Sequence, residues 1–166
     1  MRLLTFLSRL RIVLPLALLP LSVPAWASDP SGTLQGIESL AVVVGQIAPD
    51  AERDGLTRSE LQSDVERHLR QSGITVAAAS TYRLRVQLMT YRHPAHRSLY
   101  AFSIALELLQ PVTLIRYPTL VFNDGVTWRA GSVGLIESTR LREVRSYVLH
   151  DVDAFIRAYR EQNPKP

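Results

Sequence analysis

The strongest constraint on the fold is a helical apolar stripe near the C-terminal end of the chain. Within residues 138–160 the apolar side chains recur at steps of three and four, at Leu141, Val144, Val148, Val152, Phe155 and Tyr159. This period predicts a long α-helix over residues 138–160 with one apolar face. Burial of each such side chain contributes about 1.5–3 kcal/mol, so the helix needs a sheet to lie on.

The preceding sequence supplies strand patterns for that sheet. Apolar or alternating segments predict strands at residues 40–44, 74–77, 82–89, 100–109 and within 120–130, and the fourth strand has an open alternative that continues to residue 115. In the third segment Arg83, Arg85, Gln87 and Met89 alternate with apolar residues. That alternation is typical of a strand with one face in water.

A second helix is predicted between the first two strands. Thr57 is placed to cap its N-terminus, and Glu60 completes a capping box. Gly73 follows the last turn, where a left-handed backbone is common. A strand–helix–strand order within one sheet implies a right-handed parallel crossover. The sequence therefore predicts an α+β two-layer sandwich, a mixed sheet of about five strands with two helices on one face, in the order β-α-β-β-β-β-α.

The N-terminal residues have the features of a signal peptide. Three arginines and no acidic residue precede residues 12–27, which carry no charge and end in Ala25-Trp26-Ala27. The small residues favour cleavage between Ala27 and Ser28. The uncharged run is shorter than the roughly 20 apolar residues that cross a bilayer. We therefore expect a periplasmic or secreted protein with no membrane span once the signal peptide is removed.

The rest of the chain is expected to form one domain. The sequence divides into a signal peptide at 1–27, a flexible lead-in at 28–36, a single α+β domain at 37–162 and a tail at 163–166. The signal peptide contains three of the 19 basic residues, which leaves 16 against 15 acidic ones in the remainder. This near-neutral balance in an exported protein argues against a nucleic-acid partner.

Several chemistries are excluded or disfavoured. The chain has no cysteine, so disulfides, thiol catalysis and thiolate zinc sites are absent. It has no P-loop, no dinucleotide-binding glycine motif and no His-Glu-x-x-His motif. Gly131-Ser132-Val133-Gly134 lacks the spacing of a nucleophile elbow and is attributed to turn chemistry. We expect no catalytic residue, metal site or cofactor, and a hydrolase with dispersed residues is the least favoured function.

Three arginines on the predicted wet sheet face are candidate partner contacts. Arg83 and Arg85 lie on the third strand and Arg129 on the last. An exposed sheet face or a free strand edge is a common place for another chain to bind. The sequence thus predicts a non-catalytic envelope-associated or protein-interaction domain, with an envelope protein or a second copy of itself as partner. Plain solvation of the three arginines is the competing interpretation.

A second group gives an alternative function. Arg92, His93, His96 and Arg97 lie together between two predicted strands. The pair of histidines lacks the further ligands of a closed metal site. The four side chains are instead candidate contacts for a small ligand or an anion, and a hairpin tip without a ligand is the competing interpretation.

Five segments carry a resemblance across most of the domain. They are Gly-Ile-Glu-Ser-Leu-Ala-Val-Val-Val at 36–44, Asp-Gly-Leu-Thr at 54–57, Leu-Gln-Ser-Asp-Val-Glu at 61–66, Leu-Arg-Gln-Ser-Gly-Ile at 69–74, and Thr127-Trp128. Together they resemble a family of small exported bacterial proteins of unknown function. The resemblance implies export and brings no activity, ligand or partner. The predicted fold is also similar to helix-and-sheet modules of periplasmic envelope-assembly factors, which is an analogy of fold alone.

Overall fold

The chain folds as a five-stranded sheet with its helices on one side. The computed structural model describes residues 32–164, so the predicted signal peptide and its cleavage site at Ala27 and Ser28 lie outside the described residues. The elements in chain order are β1 (Ser39–Val44), α1 (Pro49–Arg53), α2 (Arg58–Gln71), β2 (Thr75–Val76), β3 (Arg83–Arg92), β4 (Leu99–Leu114), β5 (Tyr117–Glu137), a 3₁₀ helix (Ser138–Glu143) and α3 (Val144–Gln162).

The sheet is mixed, with the strand order β2-β1-β3-β4-β5. β1 runs parallel to both of its neighbours, β2 and β3, and α2 lies between β1 and β2 along the chain. The pairs β3–β4 and β4–β5 are antiparallel. This arrangement confirms the predicted α+β sandwich with a mixed sheet of about five strands. The short helix α1 is an addition to the two helices expected.

We call the sheet face under α2 and α3 the covered face. Alternate apolar side chains of the strands meet the apolar stripes of both helices there in one core. Trp128 of β5 packs edge-on against Phe155 of α3, with ring centroids 5.1 Å apart. Phe102 of β4 lies 5.2 Å from the ring of Tyr147, also on α3. The long helix therefore rests on β4 and β5, as its apolar stripe requires.

The ends of α2 follow the local sequence. The Thr57 hydroxyl accepts the backbone N–H of Glu60 at 3.4 Å and donates to the Glu60 carboxylate at 2.9 Å. Gly73 follows the C-terminal end with φ of +84°, a conformation that costs glycine least. Its backbone N–H donates to the Arg70 carbonyl at 3.0 Å. The predicted cap at Thr57 and the left-handed residue at Gly73 are both confirmed.

The predicted end of the last strand at Ala130 is wrong. β5 continues to Glu137, so Gly131-Ser132-Val133-Gly134 lies within a strand and forms no turn. Ser132 and Gly134 of this segment lie on the covered face, where groups from other elements fill the space above them. The Ser132 hydroxyl donates to Asp151 of α3 at 2.9 Å, and a Cβ on Gly134 would lie 2.6 Å from the Phe102 ring.

The C-terminal α-helix begins later than predicted. Residues Ser138–Glu143 form a 3₁₀ helix, and the α-helix itself is Val144–Gln162. A 3₁₀ turn is frequent where an α-helix begins. Leu141 in that turn is fully buried, so the turn contributes to the same core. Among residues 32–164 no helix has both the length and the apolar character needed to span a bilayer.

Residues 32–36, part of the expected flexible lead-in, pack against the end of α3. Leu34 is fully buried. The backbone N–H groups of Gly32 and Leu34 donate to the Gln162 side chain at 3.1 and 2.8 Å. The side-chain amide of Asn163, a residue assigned to the tail, donates to the Leu34 carbonyl at 2.9 Å. Among residues 32–164 the core therefore begins at Leu34, ahead of the expected boundary at residue 37.

Candidate partner-binding face

The sheet face opposite α2 and α3, which we call the open face, exposes large apolar side chains. Met89 and Tyr91 project from β3, and Val133 and Leu135 project from β5, each with 61–80% of its surface exposed. We call these four residues the apolar rows. Clustered apolar side chains on the surface of a soluble domain are typical of an interaction site.

Small residues of β4 separate the apolar rows. The register places Ser103 between Met89 and Val133 in one cross-strand row, and Ala101 holds the same place in the next row. Ala105 continues the series one row further along β4. Because β3 and β5 are two strand spacings apart, the apolar side chains of β3 lie about 10 Å from those of β5. The open face therefore contains a shallow trough with a floor of small side chains.

A row of charges closes one end of this trough. Arg85 donates to the Glu107 carboxylate at 2.6 and 3.0 Å. The Nε of Arg129 lies 3.6 Å from the other oxygen of the same carboxylate. Arg83, one row further, pairs with Asp124. All three candidate arginines thus lie on the open face, each beside a carboxylate of the same chain, and their contact with a partner stays a prediction.

The second candidate group is Arg92, His93, His96 and Arg97, at and after the end of β3. The Arg92 guanidinium turns onto the domain and pairs with Asp54. The two imidazole rings stack with centroids 5.0 Å apart. His93 Nδ1 accepts the backbone N–H of His96 at 3.1 Å, which stabilises the loop. Arg97 is the exposed arginine of the group, and anion binding by these four residues stays a prediction.

A buried tyrosine links α1 to the sheet near this loop. The Tyr100 hydroxyl donates to Asp50 and Asp54, at 3.1 and 3.0 Å. Burial, followed by the two carboxylates, raises the pKa of Tyr100 to about 12. A phenol that keeps its proton so firmly is poorly suited as a base or nucleophile near neutral pH. The cluster fixes α1 on the core, and its chemistry does not favour catalysis.

A buried acid lies between α3 and β5. Asp151 is nearly inaccessible to solvent and accepts the Ser132 hydroxyl bond. Burial raises the pKa of Asp151, while the bond from Ser132 and the nearby His150 partly oppose that rise. A nucleophilic serine needs a base that takes its proton. Ser132 donates to Asp151 inside the helix–sheet interface, and this bond joins α3 to β5.

A shallow cleft between α2 and α3 is lined by charged and polar side chains. Asp64 lies at its centre and accepts bonds from Arg67 at 2.8 Å and from Arg145 at 2.6 Å. These opposite charges neutralise one another and tie the two helices together. In the part of the chain that the structure describes, no group of three or more His, Cys, Asp or Glu side chains is placed to hold a metal ion.

The sequence analysis found only part of the open-face surface. Alternation assigned Met89 to the wet face, but Tyr91 lies beyond the predicted end of its strand. Val133 and Leu135 lie beyond Ala130, where the small residues hid the strand. Val133 and Leu135 are themselves two positions apart, so the same alternation continued past Gly131 contains the missing signal.

No protein-family model matches this chain, and no curated protein matches it. Among solved structures, a dodecamer of a PelC variant from Paraburkholderia phytofirmans is similar over 80% of this chain and 92% of that chain, with 17% identity and a TM-score of 0.43. A minor lipoprotein from Acinetobacter baumannii is similar over 76% of this chain and 93% of that chain, with 10% identity and a TM-score of 0.35.

Proposed function

We propose that this chain is an exported, non-catalytic domain that binds another protein of the cell envelope through its open face. The observation that carries the proposal is the set of apolar rows, four large side chains that remain in solvent. The core is built on the covered face and does not use them. Their contact with water is unfavourable, and an apolar surface on a partner removes it.

The trough has the anatomy of a protein interface. Such interfaces combine an apolar centre with a polar rim. The apolar rows form the centre, and Arg83, Arg85 and Arg129 stand in rim positions. Since Glu107 and Asp124 already balance much of the arginine charge, the rim offers hydrogen-bond donors without a strong net field. This favours a partner that is selected by shape and apolar contact more than by opposite charge.

Export rests on the N-terminal sequence. Three arginines followed by the uncharged residues 12–27 and the Ala25-Trp26-Ala27 ending support secretion with cleavage before Ser28. Mass spectrometry of the protein recovered from a periplasmic fraction should give Ser28 as the first residue. Recovery of the uncut chain in the cytosol would contradict this part of the proposal.

Site-specific crosslinking in intact cells tests the binding face. A photoreactive residue at Val133 is expected to trap a defined envelope protein. The matched control is Arg157, which is exposed on α3 in the helix layer. A crosslink from both positions, or from neither, would overturn the assignment of the open face. A product made only of this chain would identify the partner as a second copy.

Charge reversal tests the rim separately. Replacing Arg83, Arg85 and Arg129 together by glutamate should change the set of proteins that copurify with the chain. If the set of copurifying proteins is unchanged while the Val133 crosslink persists, the three arginines are solvated and do not contact the partner. The apolar rows alone then form the contact.

A further inference from the structure

The β4–β5 hairpin extends beyond the helix layer as an arm, which we define as residues 111–124. Every side chain of the arm except that of Val112 is exposed. Six of the exposed side chains are large and apolar or aromatic: Leu114, Ile115, Tyr117, Leu120, Val121 and Phe122. Ile115 lies in the turn at the tip and is fully exposed. So large an apolar surface at one end of a soluble domain calls for a medium or a partner that covers it.

The apolar side chains lie on both faces of the arm. Phe122 pairs with Val112 in one cross-strand pair, and Val121 pairs with Thr113 in the next, so Phe122 and Val121 point to opposite faces. A protein partner on one face would leave the other face in water. A medium that surrounds a narrow projection on all sides covers both faces.

The charge at the tip of the arm matches an anionic lipid surface, because Asp124 at the base of the arm is paired with Arg83. Between Glu107 and Asp124 the only charged residue is Arg116, which follows Ile115 in the turn. Its guanidinium carbon lies 5.8 Å from the centre of the Tyr117 ring. Arginine and tyrosine are both suited to the boundary between lipid headgroups and acyl chains, because each combines an apolar body with a polar end. No acidic side chain of the tip opposes contact with lipid phosphates.

The first described residues lie beside the base of the arm. The Gln110 side chain donates to the Thr33 carbonyl at 2.7 Å. The chain therefore enters the domain at the same end from which the arm projects.

We propose that the tip of the arm inserts into the headgroup region of an anionic lipid bilayer, with Ile115 as the apolar anchor and Arg116 on the lipid phosphates. The contact holds the domain at the membrane surface and leaves the open face free for its protein partner. This inference does not depend on the proposed function, since the arm and the apolar rows are separate surfaces.

Vesicle binding by the exported protein tests the proposal. The wild-type protein is expected to cosediment with vesicles of phosphatidylethanolamine and phosphatidylglycerol. Ile115→Ser should lower the partition coefficient at least about tenfold, because the anchor loses the transfer energy of its apolar side chain. Arg116→Gln should lower it about fivefold on these vesicles and leave binding to pure phosphatidylcholine unchanged.

Val133→Ser is the matched control, because Val133 lies on β5 outside the arm, is 80% exposed and belongs to the open face. It should bind vesicles as wild type does. All variants carry the same N-terminal residues, so any contribution from those residues cancels. Equal loss in Val133→Ser and Ile115→Ser, or no binding by wild type, would overturn the proposal.

A tryptophan reporter locates the inserted residue directly. Emission from Ile115→Trp should shift to the blue and be quenched by brominated lipids, while Val133→Trp should stay unchanged. The existing Trp128 is buried and gives a constant background. If Ile115→Ser instead abolishes a concentration-dependent dimer and leaves vesicle binding intact, the arm binds a second copy and the lipid proposal is wrong.

Discussion

The two faces of the sheet are built from the same strands and follow the same alternation, yet they end in different surroundings. On the covered face Leu84, Val86 and Leu106 are almost completely buried under the helices. On the open face Met89, one position after a buried leucine, is 73% exposed. Alternation therefore shows which side chains share a face, but it does not show which face the helices bury. A two-layer domain needs only one apolar face, so the fold itself does not require large apolar residues on the other.

This comparison predicts that substitutions on the two faces affect different measurements. Changes under the helices should lower the free energy of unfolding. Changes to the apolar rows of the open face should leave the free energy of unfolding almost unaltered and weaken partner capture.

The largest loss of stability is expected from Phe155→Ala. Phe155 is fully buried and contacts Trp128 from α3, so truncation leaves a cavity between helix and sheet. The expected cost is about 3–5 kcal/mol. Urea unfolding should show a lower midpoint with an unchanged slope. Tyr91→Ala on the open face is the control, and a comparable loss there would contradict the distinction between the faces.

A smaller loss is expected where the helices join each other above the covered face. Arg145→Ala removes one of the two arginines on Asp64, whose side chain is only 10% exposed. Asp64 then keeps Arg67 alone in a site that limits hydration, and the expected cost is about 2 kcal/mol. Arg67 is 61% exposed, so Arg67→Ala should cost well under 1 kcal/mol. The same urea series measures both, and equal costs would contradict this account.

Tyr100→Phe should cost about 1–2 kcal/mol at neutral pH, because the hydroxyl donates to two carboxylates in a buried site. The cost should also depend on pH. The native pKa of about 12 exceeds the ordinary value of 10.0, so the native state holds the proton more firmly than the unfolded state. The stabilisation is complete below pH 10 and declines as the pH rises toward 12.

Unfolding experiments on either side of pH 10 measure this dependence. The difference between wild type and Tyr100→Phe should narrow with rising pH, because the phenylalanine variant has no such proton. A constant difference across that range would show that the hydroxyl proton does not stabilise the native state.

The sequence predicted the fold well where a local period was strong. The stripe from Val144 to Tyr159 and the cap at Thr57 depend on neighbouring residues alone, and the structure has both helices in place. The prediction stopped too early in β5 because Ser132 and Gly134 break the apolar alternation. Their suitability comes from Asp151 and Phe102, residues distant in the chain that fill the space above them. Such compensation is visible only once the layers are assembled.

The candidate site was also predictable only in part, because alternation within a strand can be read from the sequence and contacts between strands cannot. Alternation placed Arg83 and Arg85 on the wet face of their strand. Their carboxylate partners could not be predicted, because the Arg85–Glu107–Arg129 row exists only through the register of three strands. A one-residue change of register would separate these charges. The ion pairs are thus a property of the assembled sheet.

The smallest change in stability, with the clearest effect on binding, is expected from Val133→Ser combined with Leu135→Ser. Neither side chain belongs to the buried core, so the free energy of unfolding should stay within about 0.5 kcal/mol of wild type. One wall of the trough is then polar, and an apolar partner loses the surface that favours its binding. A crosslink from a photoreactive residue at Met89, on the opposite wall, should weaken strongly. Persistence of that crosslink at full strength would show that the contact lies on β3 alone, and a loss of stability would show that the open face contributes to the fold.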